Sequence, residues 1–148
     1  MKKAIIVLTA LFISTVPAWA VLGQSVASVR SDQEHLKGQL RSTALEGYSV
    51  QQINSADGTV IKEFVSPSGM VFGISWEGPT MPDLAPLLGT TYFAQFQQSP
   101  RSAVRRRGPI TVRTDQLVVE SGGHMRDFHG RAYVTSLLPG NLSAEVIK

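Results

Sequence analysis

The densest run of chemically versatile side chains is Ser121 to Tyr133, which carries His124, Arg126, Asp127, His129, Arg131 and Tyr133. With His129-Gly130 as a two-residue hairpin turn, Phe128 pairs with Arg131, Arg126 with Tyr133 and His124 with Thr135. Strand alternation then collects His124, Arg126, Phe128, Arg131, Tyr133 and Thr135 on one face and sends Met125, Asp127, Ala132 and Val134 to the other, with Met125 opposite Val134 in the core. An imidazole, two guanidiniums and a phenol on one face suit a carboxylate, a phosphate or a sugar. Arginine makes forked, charge-assisted hydrogen bonds and tyrosine adds a flat surface. His124, Arg126, Arg131 and Tyr133 are therefore the candidate ligand-binding residues. The same pattern also describes a solvated or helix-covered sheet face with stacked Arg–Tyr pairs.

Catalysis has weaker footholds. His124, Asp127 and His129 contain the groups of a small hydrolase, provided that the fold brings them into one concave pocket. As a metal site, the five-residue separation of the two histidines puts them on opposite faces of a strand, and a third ligand would have to come from Asp127 or elsewhere. No metal and no cofactor is expected on that geometry. Glu77 and Asp83 bracket Gly78-Pro79, and two such carboxylates can divide acid and base roles, but Asp83 is better used as a helix cap. His35 reads as a solvated helix residue. The sequence has no Gly-x-Ser-x-Gly elbow, Ser-x-x-Lys, His-Glu-x-x-His, Walker loop or Gly-x-Gly-x-x-Gly. Asn141-Leu142-Ser143 matches a glycosylation sequon and reads as a chance match.

A second candidate surface is cationic. Residues 99–109 include Arg101, Arg105, Arg106 and Arg107 with no acidic residue and no apolar period, as in an exposed linker. Such a segment suits peripheral contact with lipid phosphates, lipopolysaccharide or an acidic protein, or simply keeps a sheet edge soluble. No nucleic-acid partner is expected in the compartment indicated by the N-terminus.

The elements that must position these groups follow from periodicity and turn chemistry. Ser31-x-x-Glu34 has capping-box spacing, and Leu36 and Leu40 follow at i, i+4, so a short helix is expected over about 32–44. Tyr48 to Asn54 and Thr59 to Ser66 flank a Ser55-Ala56-Asp57-Gly58 turn, and Ser66-Pro67-Ser68-Gly69 has type I turn composition. Met70, Phe72, Ile74 and Trp76 alternate with Val71, Gly73, Ser75 and Glu77, which predicts a strand whose even-numbered face is in the core. These three segments form an antiparallel meander. Leu84, Leu88, Tyr92 and Phe96 recur every four residues, predicting a helix over about 84–98 capped by Asp83 and laid across the meander. Further strands are expected over 110–113, 116–121, 124–128 and 131–135. Residues 137–148 suit either an edge strand or a tail.

The N-terminus has the three parts of a Sec-type signal peptide. Lys2 and Lys3 supply the positive region, Ala4 to Val16 is mostly apolar, and Pro17-Ala18-Trp19-Ala20 ends in a small-x-small cleavage site. The apolar run is shorter than the roughly 20 residues of a membrane-spanning helix, and no second run follows it. Cleavage near Ala20 leaves a single domain over 21–148, with 21–30 as a mobile lead-in, in the periplasm or secreted, with no transmembrane span. In the full chain, 14 basic residues face 11 acidic ones, and without Lys2 and Lys3 the balance falls to 12 against 11. The basic character is thus partly a targeting feature and poor evidence for a polyanion partner. The chain has no cysteine, which excludes thiol catalysis, cysteine-ligated metal and a lipid-anchored cysteine at the cleavage point.

Several segments resemble one family in order and composition. They are Glu63-Phe64-Val65-Ser66-Pro67-Ser68-Gly69-Met70-Val71-Phe72, Trp76-Glu77-Gly78-Pro79, Pro82-Asp83-Leu84, Leu88-Gly89-Thr90-Thr91-Tyr92-Phe93 and Leu117-Val118-Val119-Glu120-Ser121-Gly122-Gly123-His124-Met125-Arg126. Together they resemble the bacterial exported-protein family catalogued as domain of unknown function 2844, from about Leu22 onward. The resemblance implies an exported proteobacterial protein and brings no catalytic residue with it.

The expected fold is α+β, a mainly antiparallel sheet of about six to seven strands with one long and one short packed helix. The expected function is a non-catalytic envelope or secreted module that binds an envelope protein or a small anionic ligand. The alternative is a small periplasmic hydrolase built on His124, Asp127 and His129. Assembly through an exposed strand edge is a third reading.

Overall fold

Among the described residues, seven strands, all paired antiparallel, form one sheet in the order β1-β2-β3-β4-β7-β6-β5. In the computed structural model, residues 22–25, 37–99 and 110–148 are described. The strands are β1 (Gln39–Leu45), β2 (Tyr48–Asn54), β3 (Val60–Val65), β4 (Val71–Gly78), β5 (Ile110–Arg113), β6 (Leu117–His124) and β7 (Asp127–Val134). A helix, α1 (Leu84–Gln98), lies between β4 and β5. Two 3-10 turns, Thr135–Leu137 and Ala144–Val146, follow β7. The signal peptide over 1–20, the first part of the expected short helix with His35, and Arg101, Arg105, Arg106 and Arg107 lie outside the described residues.

The expected meander is present as β2-β3-β4. Gly58 and Gly69 supply the left-handed backbone of its two turns, at φ 89° and 81°. The C-terminal part of the expected short helix is instead β1, which pairs with β2 along its whole length from Gln39–Asn54 to Leu45–Tyr48. Two apolar residues four apart are a thin helical signal. Here Leu40 is used as a strand residue, opposite Ile53 and packed on the core. Gly38 reinforces the choice, because a Cβ there would sit 2.6 Å from the Ile53 side chain.

The sheet is covered on both faces, which explains why β4 is buried from Val71 to Trp76. On one face, Ile53, Ile61, Val65, Val71, Ile74, Trp76, Leu117, Val119, Ala132 and Val134 pack under Leu84, Leu87 and Leu88 of α1. The other face carries Phe64, Phe72, Val118 and Tyr133 and is roofed by the C-terminal segment through Leu138, Leu142, Val146 and Ile147. The expected single core face of β4 therefore needs correcting at Phe72. A bulge opposite Phe64 and Val65 inserts one residue, so Val71 joins Ile74 and Trp76 beneath the helix while Phe72 turns to the opposite face.

Helix α1 begins as expected, with Asp83 accepting a hydrogen bond from the Ala85 amide at 3.0 Å. Its periodicity hides a break: Gly89, at φ 71° and ψ 167°, interrupts the helical backbone. Tyr92, Phe93 and Phe96, beyond the break, still pack against the core. Within the expected lead-in, residues 22–25 are docked. Leu22 is fully buried and its amide donates to the Leu87 carbonyl, while Gly23 and Gln24 exchange backbone bonds with Val71. An antiparallel bridge joins Ser25 to Met70.

Candidate functional site

The strand register decides which side chains meet. On the face opposite α1, Val60, Glu77, His129 and Gly122 form one row across β3, β4, β7 and β6. Lys62, Ser75, Arg131 and Glu120 form the next row, and Phe64, Gly73, Tyr133 and Val118 the third. The apolar third row lies under the C-terminal segment, and Ile147 sits so close over Gly73 that a Cβ there would meet its Cδ1 at 2.5 Å. The two polar rows border a cleft of 410 Å³, closed on one side by Ile147 and Lys148.

Arg131 organises the wall of this cleft. Its Nε donates to Glu120 Oε2 at 2.7 Å, and one terminal nitrogen donates to the carbonyls of Ala144 and Ile147 at 3.0 and 3.4 Å. Glu145 lies 3.9 Å from the other nitrogen, and the guanidinium sits 5.9 Å from the centre of the Tyr133 ring. The hydrogen bond that Arg131 donates to Glu120, more than any other contact, pushes the Arg131 pKa above the ordinary guanidinium value. Glu120 also accepts from Arg113 at 3.1 Å, so one carboxylate bridges two arginines. Lys62 Nζ donates to the Lys148 carbonyl at 3.1 Å. These contacts pin the C-terminal segment to the sheet.

The hairpin that joins β6 to β7 corrects the expected pairing. Its turn is Met125-Arg126, closed by His124 and Asp127, and His129-Gly130 lies inside β7. The register that forms pairs Val134 with Leu117 and Ala132 with Val119, which buries four apolar residues under α1. A turn at His129-Gly130 would have set Val134 against Met125 and wasted Leu117 and Val119. Burial therefore outweighs local turn preference, even with Arg126 at φ 68°, a conformation costing about 1–2 kcal/mol for a residue with a Cβ. Gly130 serves another purpose, since its missing Cβ leaves room for the Trp76 indole and the Glu120 carbonyl.

The four expected ligand-binding residues are consequently dispersed. His124 and Arg126 are at the exposed hairpin tip, Tyr133 is buried in the second core cluster, and Arg131 is committed to Glu120 and the C-terminal segment. Met125, expected in the core, is 87% exposed at the turn. Phe128 faces away from Arg131, not with it, because the two differ in strand parity. His124, Asp127 and His129 do share a face, contrary to the expectation for the two histidines, but only His129 borders the cleft. His124 Nε2 lies 3.6 Å from Asp127 Oδ2, with both side chains mostly solvated. Among the described residues, no cluster of three histidine or acidic side chains could hold a metal ion.

Lys62, Ser75, Glu120 and Lys148 join the site with no local motif to mark them in the sequence. Parity along β3 and β4 was the available signal, since Lys62 and Ser75 fall on the faces opposite Ile61 and Ile74. It gains meaning only when the strands are aligned. Ser75 is largely buried, between Lys62 and Arg131 in its row, and lines the cleft. Lys62, Arg131 and Lys148 carry positive charge there against Glu77 and Glu120.

Among the described residues, no helix is long and apolar enough to cross a membrane. No curated protein and no solved structure matches the chain. A family profile does match, over residues 18–147, nearly the whole length. The chain belongs to the family described as Protein of unknown function (DUF2844).

Proposed function

We propose that this protein is an exported, non-catalytic binding module that takes a small anionic ligand in the cleft on the sheet face opposite α1. The observation that carries the reading is the cleft itself, a 410 Å³ concavity with Val60 and Ile147 as apolar wall, Ser75 lining it and Lys62, Lys148 and His129 around it. Pockets that hold small molecules combine apolar walls with a few polar groups in this way. Glu120 is shared by Arg113 and Arg131, so the cationic groups around the cleft outnumber the carboxylates. Export rests on the charged, apolar and small-x-small parts of the N-terminus, with release near Ala20 into the periplasm or beyond.

A calorimetric titration with inorganic phosphate and with small mono- and dicarboxylates tests the binding. At least one of these anions is expected to bind, with affinity falling roughly tenfold in Lys62→Ala or His129→Ala, about 1.4 kcal/mol. Absence of heat from every anion, or equal affinity in both variants, would overturn the assignment. For the export reading, N-terminal sequencing of protein from the periplasmic fraction should begin at Val21.

A further inference from the structure

The two edges of the sheet are built differently. β5 is four residues long, whereas β1 runs unbroken for seven, without proline, without a bulge and with Arg41 as its one charged residue. Natural edge strands are usually blunted by one of those devices. β1 is exposed at nearly every position, and no described residue pairs with its outer edge.

The geometry of that edge follows from its hairpin. Leu45 and Tyr48 close a two-residue turn at Glu46-Gly47, so they are a hydrogen-bonded pair. Alternation makes Thr43–Val50, Arg41–Gln52 and Gln39–Asn54 the other bonded pairs. The backbone N–H and C=O groups of Leu40, Ser42 and Ala44 therefore point outward. These three residues are symmetric about Ser42.

We propose that β1 pairs edge to edge with β1 of a second copy, antiparallel about a two-fold axis through Ser42, to make one continuous sheet. In that register Ser42 meets its own copy and Leu40 meets Ala44, twice over. Three residues from each chain then give about six inter-chain backbone bonds. Leu40 already packs against the core cluster on the α1 side of the sheet, and Ala44 of the second copy extends that apolar face. On the opposite face Arg41 stands beside Thr43, so no like charges are directly opposed. The two copies of Arg41 are diagonal neighbours, about 7–8 Å apart between backbones. Their repulsion makes the association stronger with added salt.

Sedimentation velocity of the purified protein, with and without salt, tests the pairing. A monomer–dimer equilibrium is expected, tightening with salt and weakened roughly tenfold or more in Ser42→Pro. Proline at that position removes an outward N–H and leaves the backbone bonds to β2 intact, while the 2.9 Å bond from Gln51 Nε2 to the Ser42 hydroxyl is lost with the side chain. Thermal unfolding of dilute Ser42→Pro protein that matches Ser42→Ala, which loses the same Gln51 bond but keeps its N–H, would show that the fold survives. Because the chain has no cysteine, Ser42→Cys gives a clean crosslinking probe, and mild oxidation should yield a covalent dimer. Leu45→Cys, at the far end of the symmetric pair, should not crosslink. A monomer at concentrations on the order of 1 mM, or equal crosslinking of the two cysteine variants, would overturn the proposal.

Discussion

Replacing Ile147 with alanine tests the architecture on which the cleft depends. Ile147 is fully buried, packs with Phe64, Phe72, Val118 and Tyr133, and lies directly over Gly73. Ile147→Ala removes three carbons. At about 0.8 kcal/mol per buried methylene the transfer loss is about 2.4 kcal/mol, and a partly collapsed cavity raises the total to about 3–4 kcal/mol. Urea unfolding followed by tryptophan fluorescence should show a lower midpoint at unchanged slope, the signature of lost stability without a change in the surface exposed on unfolding. A companion substitution separates packing from chain-end fraying. Gly73→Ala pushes a methyl group against Ile147 Cδ1, and the double variant should cost less than the sum of the two single ones, by about 1 kcal/mol. A loss below about 1 kcal/mol in Ile147→Ala, or strict additivity with Gly73→Ala, would refute the claim that the C-terminal segment is an integral second layer.

Arg131→Lys keeps the charge but cannot reach Glu120 and the Ala144 carbonyl together. It should cost about 1–3 kcal/mol and speed proteolytic trimming of the C-terminal segment relative to the rest of the chain, read by mass spectrometry. Asp57 ties the β2–β3 turn to the residues after β4: it accepts from the Thr80 hydroxyl and, at 2.9 Å, from the Thr59 amide. The bond from Thr80, followed by that from Thr59, lowers its pKa from 3.8 to about 2. Because the folded value lies below the unfolded one, the contribution is complete above the unfolded value and is lost as pH falls through the folded one. The group is exposed, so solvent screening limits this contribution to about 1 kcal/mol. The stability gap between wild type and Asp57→Asn should therefore be present near neutral pH and close toward about pH 2, as measured by denaturant unfolding. A gap independent of pH would show that the carboxylate's ionisation is not what stabilises the turn.

Legibility varied with the number of constraints acting on each segment. β2, β3 and β4 were readable because alternation, β-branched composition and two glycine turns agree. β1 resembles a helix in sequence because Leu36 and Leu40 alone cannot separate a period of four from a period of two, and only pairing with β2 decides. The hairpin of β6 and β7 was misplaced by four residues because His129-Gly130 has turn chemistry while the true turn, Met125-Arg126, has none. That shift rearranged the candidate site. It moved His129 from a turn into the cleft and left His124 and Arg126 at the tip, while Tyr133 went into the core.

From the sequence by itself came the antiparallel α+β architecture, the Asp83 cap and the turns at Gly58 and Gly69, because each depends on neighbours within a few residues. The family is legible there too, through its ordered segments. Tertiary structure alone decided the bulge that sends Phe72 to the second face, the register that aligns Lys62, Ser75, Arg131 and Glu120, and the C-terminal layer over Gly73. The physical reason is common to all three. Each is selected by burial against residues distant in the chain, and a single strand's alternation states that it has two faces without saying what will cover either.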